Sequence, residues 1–201
     1  MTSYGFLLFD DAEELDFVGP WEVITASSML RVRDGADPDT TVMIAETDSP
    51  VRCAKGMVVL PHHSIDDHPP LDVIVVPGGQ GTRAEIDNET LLAWLGNTGP
   101  LATWVTSVCT GSLLLVGAGL ATNKRVATHW SFEGTLAERG DCTVVRDARW
   151  VRDGNVVTSQ GVSAGIDMAL WLSGHIHNPA HARAVQRYID YEHAPPYQAD
   201  V

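Results

Sequence analysis

The run Leu101-Ala102-Thr103-Trp104-Val105-Thr106-Ser107-Val108-Cys109-Thr110-Gly111-Ser112-Leu113-Leu114-Leu115-Val116-Gly117 decides how this chain is read. Val105, Thr106 and Val108 are β-branched and read as a strand. Thr110-Gly111-Ser112 then opens an apolar run that reads as a helix. A strand, one sulfur side chain, and a helix with glycine two residues on make a nucleophile elbow, a sharp turn that lifts the side chain clear of the sheet. Gly111 lets the start of the helix pack closely behind it. The unpaired N–H groups and positive dipole end of that helix favour a thiolate over a thiol. Free cysteine is also among the most buried residue types. Its place at the junction, rather than within the strand, sets Cys109 apart as a nucleophile.

The 201 residues are expected to form one domain, 1–201, with 44% hydrophobic and 19% charged residues as in globular chains. A net charge of −13, from 13 Lys plus Arg against 26 acids, argues against nucleic acid and anionic membranes as partners. The N-terminus has no basic region, and its apolar run stops at Asp10, so it reads as a first strand and not a signal peptide. No stretch approaches the roughly 18 apolar residues of a membrane helix. Three scattered cysteines, Cys53, Cys109 and Cys142, fit a reducing cytoplasm better than a disulfide framework.

Apolar strands are expected at 4–9, 41–45, 72–77 and 102–108, with two short ones within 51–60. Helices are expected from Pro20 (a first-turn proline), over 88–97, from Thr110 to Gly117, from His129 to about Arg139, and over 164–175 and 180–191. Residues 61–70 read as a loop carrying three histidines. Strands at 144–151 and 155–159 flank a hairpin turn at Asp153-Gly154. The tail around Ala194-Pro195-Pro196-Tyr197 reads as irregular. Alternating strands and helices give an α/β sandwich around a mostly parallel sheet, with functional atoms beyond the carboxyl ends of the strands.

Three motifs fall at such ends: Asp16, Gly78-Gly79 and Cys109-Thr110. Backbone N–H groups at Gly79 and Thr110 are candidate oxyanion donors facing the sulfur, although Pro77-Gly78-Gly79 is equally a plain turn. Asp16 lies among four other acids, Asp10, Asp11, Glu13 and Glu14, as a solvated loop would have it, but Phe17-Val18 and Gly19-Pro20 follow directly. A carboxyl partly buried there beside a thiol has a raised pKa and can carry a proton. His129, 20 residues past Cys109, is a candidate partner for the thiol or a helix-flanking histidine bonded to backbone. Thr110 is a candidate substrate donor or simply the start of a helix. Trp21, Phe17, Trp130 and Trp150 are candidates for an apolar pocket or for core. His62, His63 and His68 share a loop with Asp66 and Asp67, and His175, His177 and His181 cluster at a helix junction. The irregular spacing of the first set and the helix-end placement of the second lead to an expectation of no metal.

The chain resembles the DJ-1/PfpI (ThiJ-like) superfamily in Glu13-Glu14-Leu15-Asp16, Gly19-Pro20-Trp21-Glu22-Val23, Val75-Val76-Pro77-Gly78-Gly79, Ser107-Val108-Cys109-Thr110-Gly111 and Ala127-Thr128-His129-Trp130. The resemblance implies a flavodoxin-like (class I glutamine amidotransferase-like) sandwich, usually a homodimer. It further implies an elbow cysteine facing an acid, here Asp16, with N–H donors from Gly79 and Thr110. Peptidase-like members carry histidine where this chain has Thr110, and the glyoxalase-like members carry glutamate where it has Asp16. Asp16 with Cys109-Thr110-Gly111 is similar instead to the isocyanide hydratases, as are Gly161-Val162-Ser163-Ala164-Gly165-Ile166-Asp167, Arg187-Tyr188-Ile189-Asp190-Tyr191-Glu192 and Pro195-Pro196-Tyr197. The implied activity is hydration of a small-molecule isocyanide through Cys109, Asp16 and Thr110, with Gly79, Gly78 and His129 around the substrate and no cofactor. The competing expectations are a glyoxalase- or deglycase-type enzyme and a cysteine sensor like the amidotransferase-like domain of AraC-type regulators. The acidic chain ending at Val201 favours a stand-alone enzyme over the sensor.

Overall fold

A computed structural model describes residues 1–192; the tail motif at Pro195-Pro196-Tyr197 lies outside them. Strand β1 (Ser3–Leu7) leads into helix α1 (Glu14–Arg33) and strand β2 (Thr40–Ala45). β3 (Val51–Arg52) and β4 (Val58–Val59) pair antiparallel across the turn at Lys55-Gly56. β5 (His63–Ser64), β6 (Val73–Val76), α2 (Thr82–Glu85) and α3 (Glu89–Thr98) follow. Next come β7 (Trp104–Val108), α4 (Gly111–Gly117), β8 (Arg125–Val126), α5 (Glu133–Glu138) and β9 (Thr143–Val144). β10 (Trp150–Asp153) and β11 (Val156–Ser159) form the expected hairpin, and α6 (Ala164–Ile176) and α7 (Pro179–Tyr188) complete the set.

The main sheet has seven strands in the order β10-β11-β7-β6-β1-β2-β5, parallel except for the edge strand β10. Both faces are covered, which is why its strands read as unbroken apolar runs. In β6, Val73 and Val75 join the core shared with Phe17 and Ile24 of α1 and Met168 and Leu172 of α6. Ile74 and Val76 point the other way, into the core built with Leu91 and Leu95 of α3 and Leu113–Val116. This is the flavodoxin-like sandwich expected from the sequence. No helix among the described residues is long and apolar enough to cross a membrane.

Four local expectations are corrected. Helix α1 starts at Glu14, so Pro20 sits inside it and Asp16 lies in its first turn. A mid-helix proline cannot donate to the carbonyl four residues back, here that of Asp16. Close packing on α6 offsets this: a side chain on Gly19 would come within 2.9 Å of Ile166, and one on Gly165 within 3.1 Å of Pro20. The 61–70 loop contributes an edge strand, β5, because His63 and Ser64 pair with Ile44 and Ala45. The strand expected over 144–151 is split, since Asp147 turns the chain at φ 54°. The four-residue helix α2 was not anticipated.

Candidate active site

Asp16, Gly78, Cys109 and Thr110 meet beyond the carboxyl ends of β1, β6 and β7. Cys109 adopts φ 57°, the left-handed region that disfavours side-chain-bearing residues. Its amide holds the elbow to the end of β11, donating to the carbonyls of Gln160 at 3.0 Å and Ser159 at 3.2 Å. Its own carbonyl accepts the buried Thr128 hydroxyl at 3.0 Å. A Cβ on Gly111 would lie 2.4 Å from the Val76 oxygen, and one on Gly78 would lie 2.5 Å from the Thr110 nitrogen. Only glycine allows the two strand-end turns to touch at these positions.

Asp16 is fully buried. One oxygen, Oδ2, accepts the Gly78 N–H at 2.9 Å. The other, Oδ1, has no hydrogen-bond partner, and the neighbouring Cys109 thiol favours the ionised form of the carboxyl. Burial raises the Asp16 carboxyl to about 7, against the opposing pull of the Gly78 N–H. Burial and the neighbouring Asp16 charge push the Cys109 thiol up to about 12. The expectation of a resting thiolate is therefore corrected. The thiol keeps its proton at neutral pH because desolvation outweighs the N–H groups of Thr110 and Val162, both of which donate toward the sulfur.

Thr110 is the hub of a second cluster. Its hydroxyl contacts the Gly79 N–H at 3.1 Å, the Thr82 hydroxyl at 3.1 Å and the Arg83 guanidinium at 3.3 Å. The Gly79 amide, expected as an oxyanion donor, is thus taken up in holding Thr110, and the Gly78 amide in holding Asp16. The free donors at the sulfur are those of Thr110 and Val162.

Residues 3–173 match the DJ-1/PfpI family. The chain belongs to the DJ-1/PfpI family. It is 39% identical to an isonitrile hydratase from Pseudomonas putida over 97% of its own length and 81% of that protein's. It is 26% identical to the HTH-type transcriptional regulator GbdR of Pseudomonas aeruginosa over 94% of its own length and 51% of the regulator's. A crystal structure of a ThiJ/PfpI family protein from Pseudomonas syringae superposes with a TM-score of 0.87 at 29% identity, covering 100% of this chain and 79% of that one.

Set against the family resemblance, other expected residues lie elsewhere. His129 bonds through Nδ1 to Ser131, and its ring packs over Gly161, where a Cβ would come within 2.1 Å of it. It makes no hydrogen bond to Cys109. Phe17 is core, Trp21 stacks on His62 and meets Phe6 edge-on, and Trp130 is exposed. None of the three forms a pocket wall with Trp150, which lines a separate groove near α6 and α7. His68 accepts the Trp94 indole N–H at 2.9 Å, His63 faces Asp67 at 3.7 Å, and His175 stacks on Trp171. His181 bonds to the Ser27 hydroxyl at 2.7 Å.

The Thr82, Arg83 and Thr128 side chains that hold Thr110 and Cys109 escaped the sequence, as did one donor at the sulfur itself. Val162 sits at φ 50°, a strained position for a β-branched residue, worth on the order of 1–3 kcal/mol. It contributes only a backbone N–H, which residue identity does not reveal. The available signal was its place just after β11, the fourth strand end to reach the site.

Proposed function

We propose that this DJ-1/PfpI member is an isocyanide hydratase that uses Cys109 and Asp16. The observation that carries the reading is a fully buried carboxyl, Asp16, held by the Gly78 N–H at the same strand-end junction as the Cys109 thiol, with burial raising both acids. Such a pair delivers a nucleophile and a proton together. Similarity to an isonitrile hydratase over nearly the whole chain supports the same substrate class.

In the proposed reaction the Cys109 S–H bond breaks as sulfur bonds to the terminal carbon of R–N≡C. The proton passes to ionised Asp16 and from there to that carbon, giving the thioimidate R–N=CH–S. Water then adds across the C=N bond, one proton reaching nitrogen through Asp16. The tetrahedral R–NH–CH(OH)–S species collapses, the hydroxyl proton returns to sulfur, and R–NH–CHO leaves. Atoms balance with water alone, so no cofactor is needed. Thr110 and Val162 N–H groups stabilise charge on sulfur in both sulfur-transfer steps. Gly79 and Thr82 keep Thr110 in place.

The test is incubation with cyclohexyl isocyanide, following N-cyclohexylformamide, beside methylglyoxal as the glyoxalase substrate. Formamide formation supports the reading. Consumption of methylglyoxal alone replaces it with the glyoxalase-type reading, and inertness toward both favours the sensor.

A further inference from the structure

Arg149, on no strand of its own, brackets the turn that presents Val162 to the sulfur. Its carbonyl accepts the Gln160 N–H at 3.0 Å, and its guanidinium donates to the Ser163 hydroxyl at 3.0 Å. Gln160 in turn receives the Cys109 amide. One residue thus grips both ends of residues 160–163, which carry the strained Val162. Strained backbone persists only when its surroundings over-determine it. The guanidinium is itself fixed by an ion pair with Asp167, in the first turn of α6, and the other Asp167 oxygen accepts the Tyr191 hydroxyl at 3.1 Å. Arg149, Asp167, Ser163 and Tyr191 all line an open groove of about 910 Å3 between β10, α6 and α7. None of the four belongs to either of the two central cores.

We propose that Arg149, held by Asp167 and Tyr191, is a positioning residue that keeps the Val162 amide on the Cys109 sulfur. The inference deepens the hydratase reading and rests on Cys109 being its reactive atom. An N–H aimed at sulfur stabilises the thiolate, so its loss makes the thiol harder to ionise.

The experiment is the pH profile of Cys109 alkylation by iodoacetamide, read by peptide mass so that Cys53 and Cys142 do not contribute. Thermal unfolding and formamide formation are measured on the same samples. Arg149→Met should move the profile to higher pH, slowing Cys109 alkylation about 3–10-fold at a fixed pH. Ser163→Ala, which removes only the exposed acceptor, and Asp167→Asn should move it the same way. Arg149→Lys should recover part of the rate. A profile that stays in place, or moves to lower pH, in folded Arg149→Met and Ser163→Ala proteins would overturn the proposal. A shifted profile in a protein whose wild type makes no formamide would leave the positioning role standing and remove the hydratase.

Discussion

Asp16 and Cys109 share one buried corner, and a negative charge sits more readily on the carboxyl than on the sulfur. Burial and, after it, the ionised carboxyl raise the thiol to about 12, while the thiol proton opposes the desolvation that raises Asp16 to about 7. Ordinary values are near 4 and 8.5. The pair therefore waits as carboxylate and thiol, or as acid and thiol, with the proton to be moved only when an electrophile arrives.

Asp16 should make wild-type stability fall as pH rises. An acid whose folded pKa is raised from about 4 to about 7 binds one more proton in the native state across that window. The stabilisation is whole below the unfolded value and is lost by roughly 1.4 kcal/mol per pH unit up to about 7. Asp16→Asn lacks this term. Urea unfolding of both proteins at pH 5, 6 and 7 should show the difference changing in favour of the variant; a constant difference would contradict the buried-acid assignment.

Reactivity of Cys109 should follow Asp16 as well. With the carboxyl as proton acceptor, isocyanide turnover rises through an apparent pKa near 7. In Asp16→Asn that inflection should vanish and turnover fall by at least about 100-fold, the low end of a positioned base's usual contribution. Steady-state rates between pH 5 and 9 measure both.

Much of this fold was open to reading in the sequence because the strands are buried on both faces. Val73-Ile74-Val75-Val76 alternates between two cores, so no polar residue interrupts it. The elbow at Cys109 was visible through Gly111, whose missing side chain is a steric requirement. Other features depend on distant partners. Pro20 marks a helix start by its own chemistry, and only α6 packed against it makes an interior position tolerable. The thiol's resting proton follows from burial by elements far along the chain, against the local helix-end effect that argued for a thiolate. Val162 acts through its main chain, and nothing in valine announces a left-handed backbone.

Thr110→Val should keep the shape and leave the Gly79 N–H without its hydroxyl acceptor, while the Thr82 hydroxyl and the Arg83 guanidinium keep their bonds to the Gly79 carbonyl. Leaving a buried donor unpaired costs about 1–3 kcal/mol. Thr110→Ser, which retains the hydroxyl, should restore most of it. Chemical denaturation of the two variants provides the comparison.

Gly78→Ala tests the contact between the strand ends. Its methyl group would sit 2.5 Å from the Thr110 nitrogen and 2.8 Å from Cys109 Cβ. Relief requires the two turns to part, costing about 1–3 kcal/mol as overpacking usually does. Turnover should drop further than the stability loss explains, because the same movement separates Asp16 from the sulfur. Paired melting curves and initial rates on one preparation settle it.

In the proposed reaction Cys109 forms a covalent bond to the isocyanide carbon with Asp16 handling the proton. Intact-protein mass spectrometry during cyclohexyl isocyanide turnover, on wild type, Cys109→Ser and Asp16→Asn, addresses it most directly. A transient adduct of one isocyanide mass is expected on wild-type Cys109 and none on Cys109→Ser, with formamide from wild type at a rate neither variant approaches. Full formamide production by Cys109→Ser, with no adduct on the wild type, would contradict the covalent step.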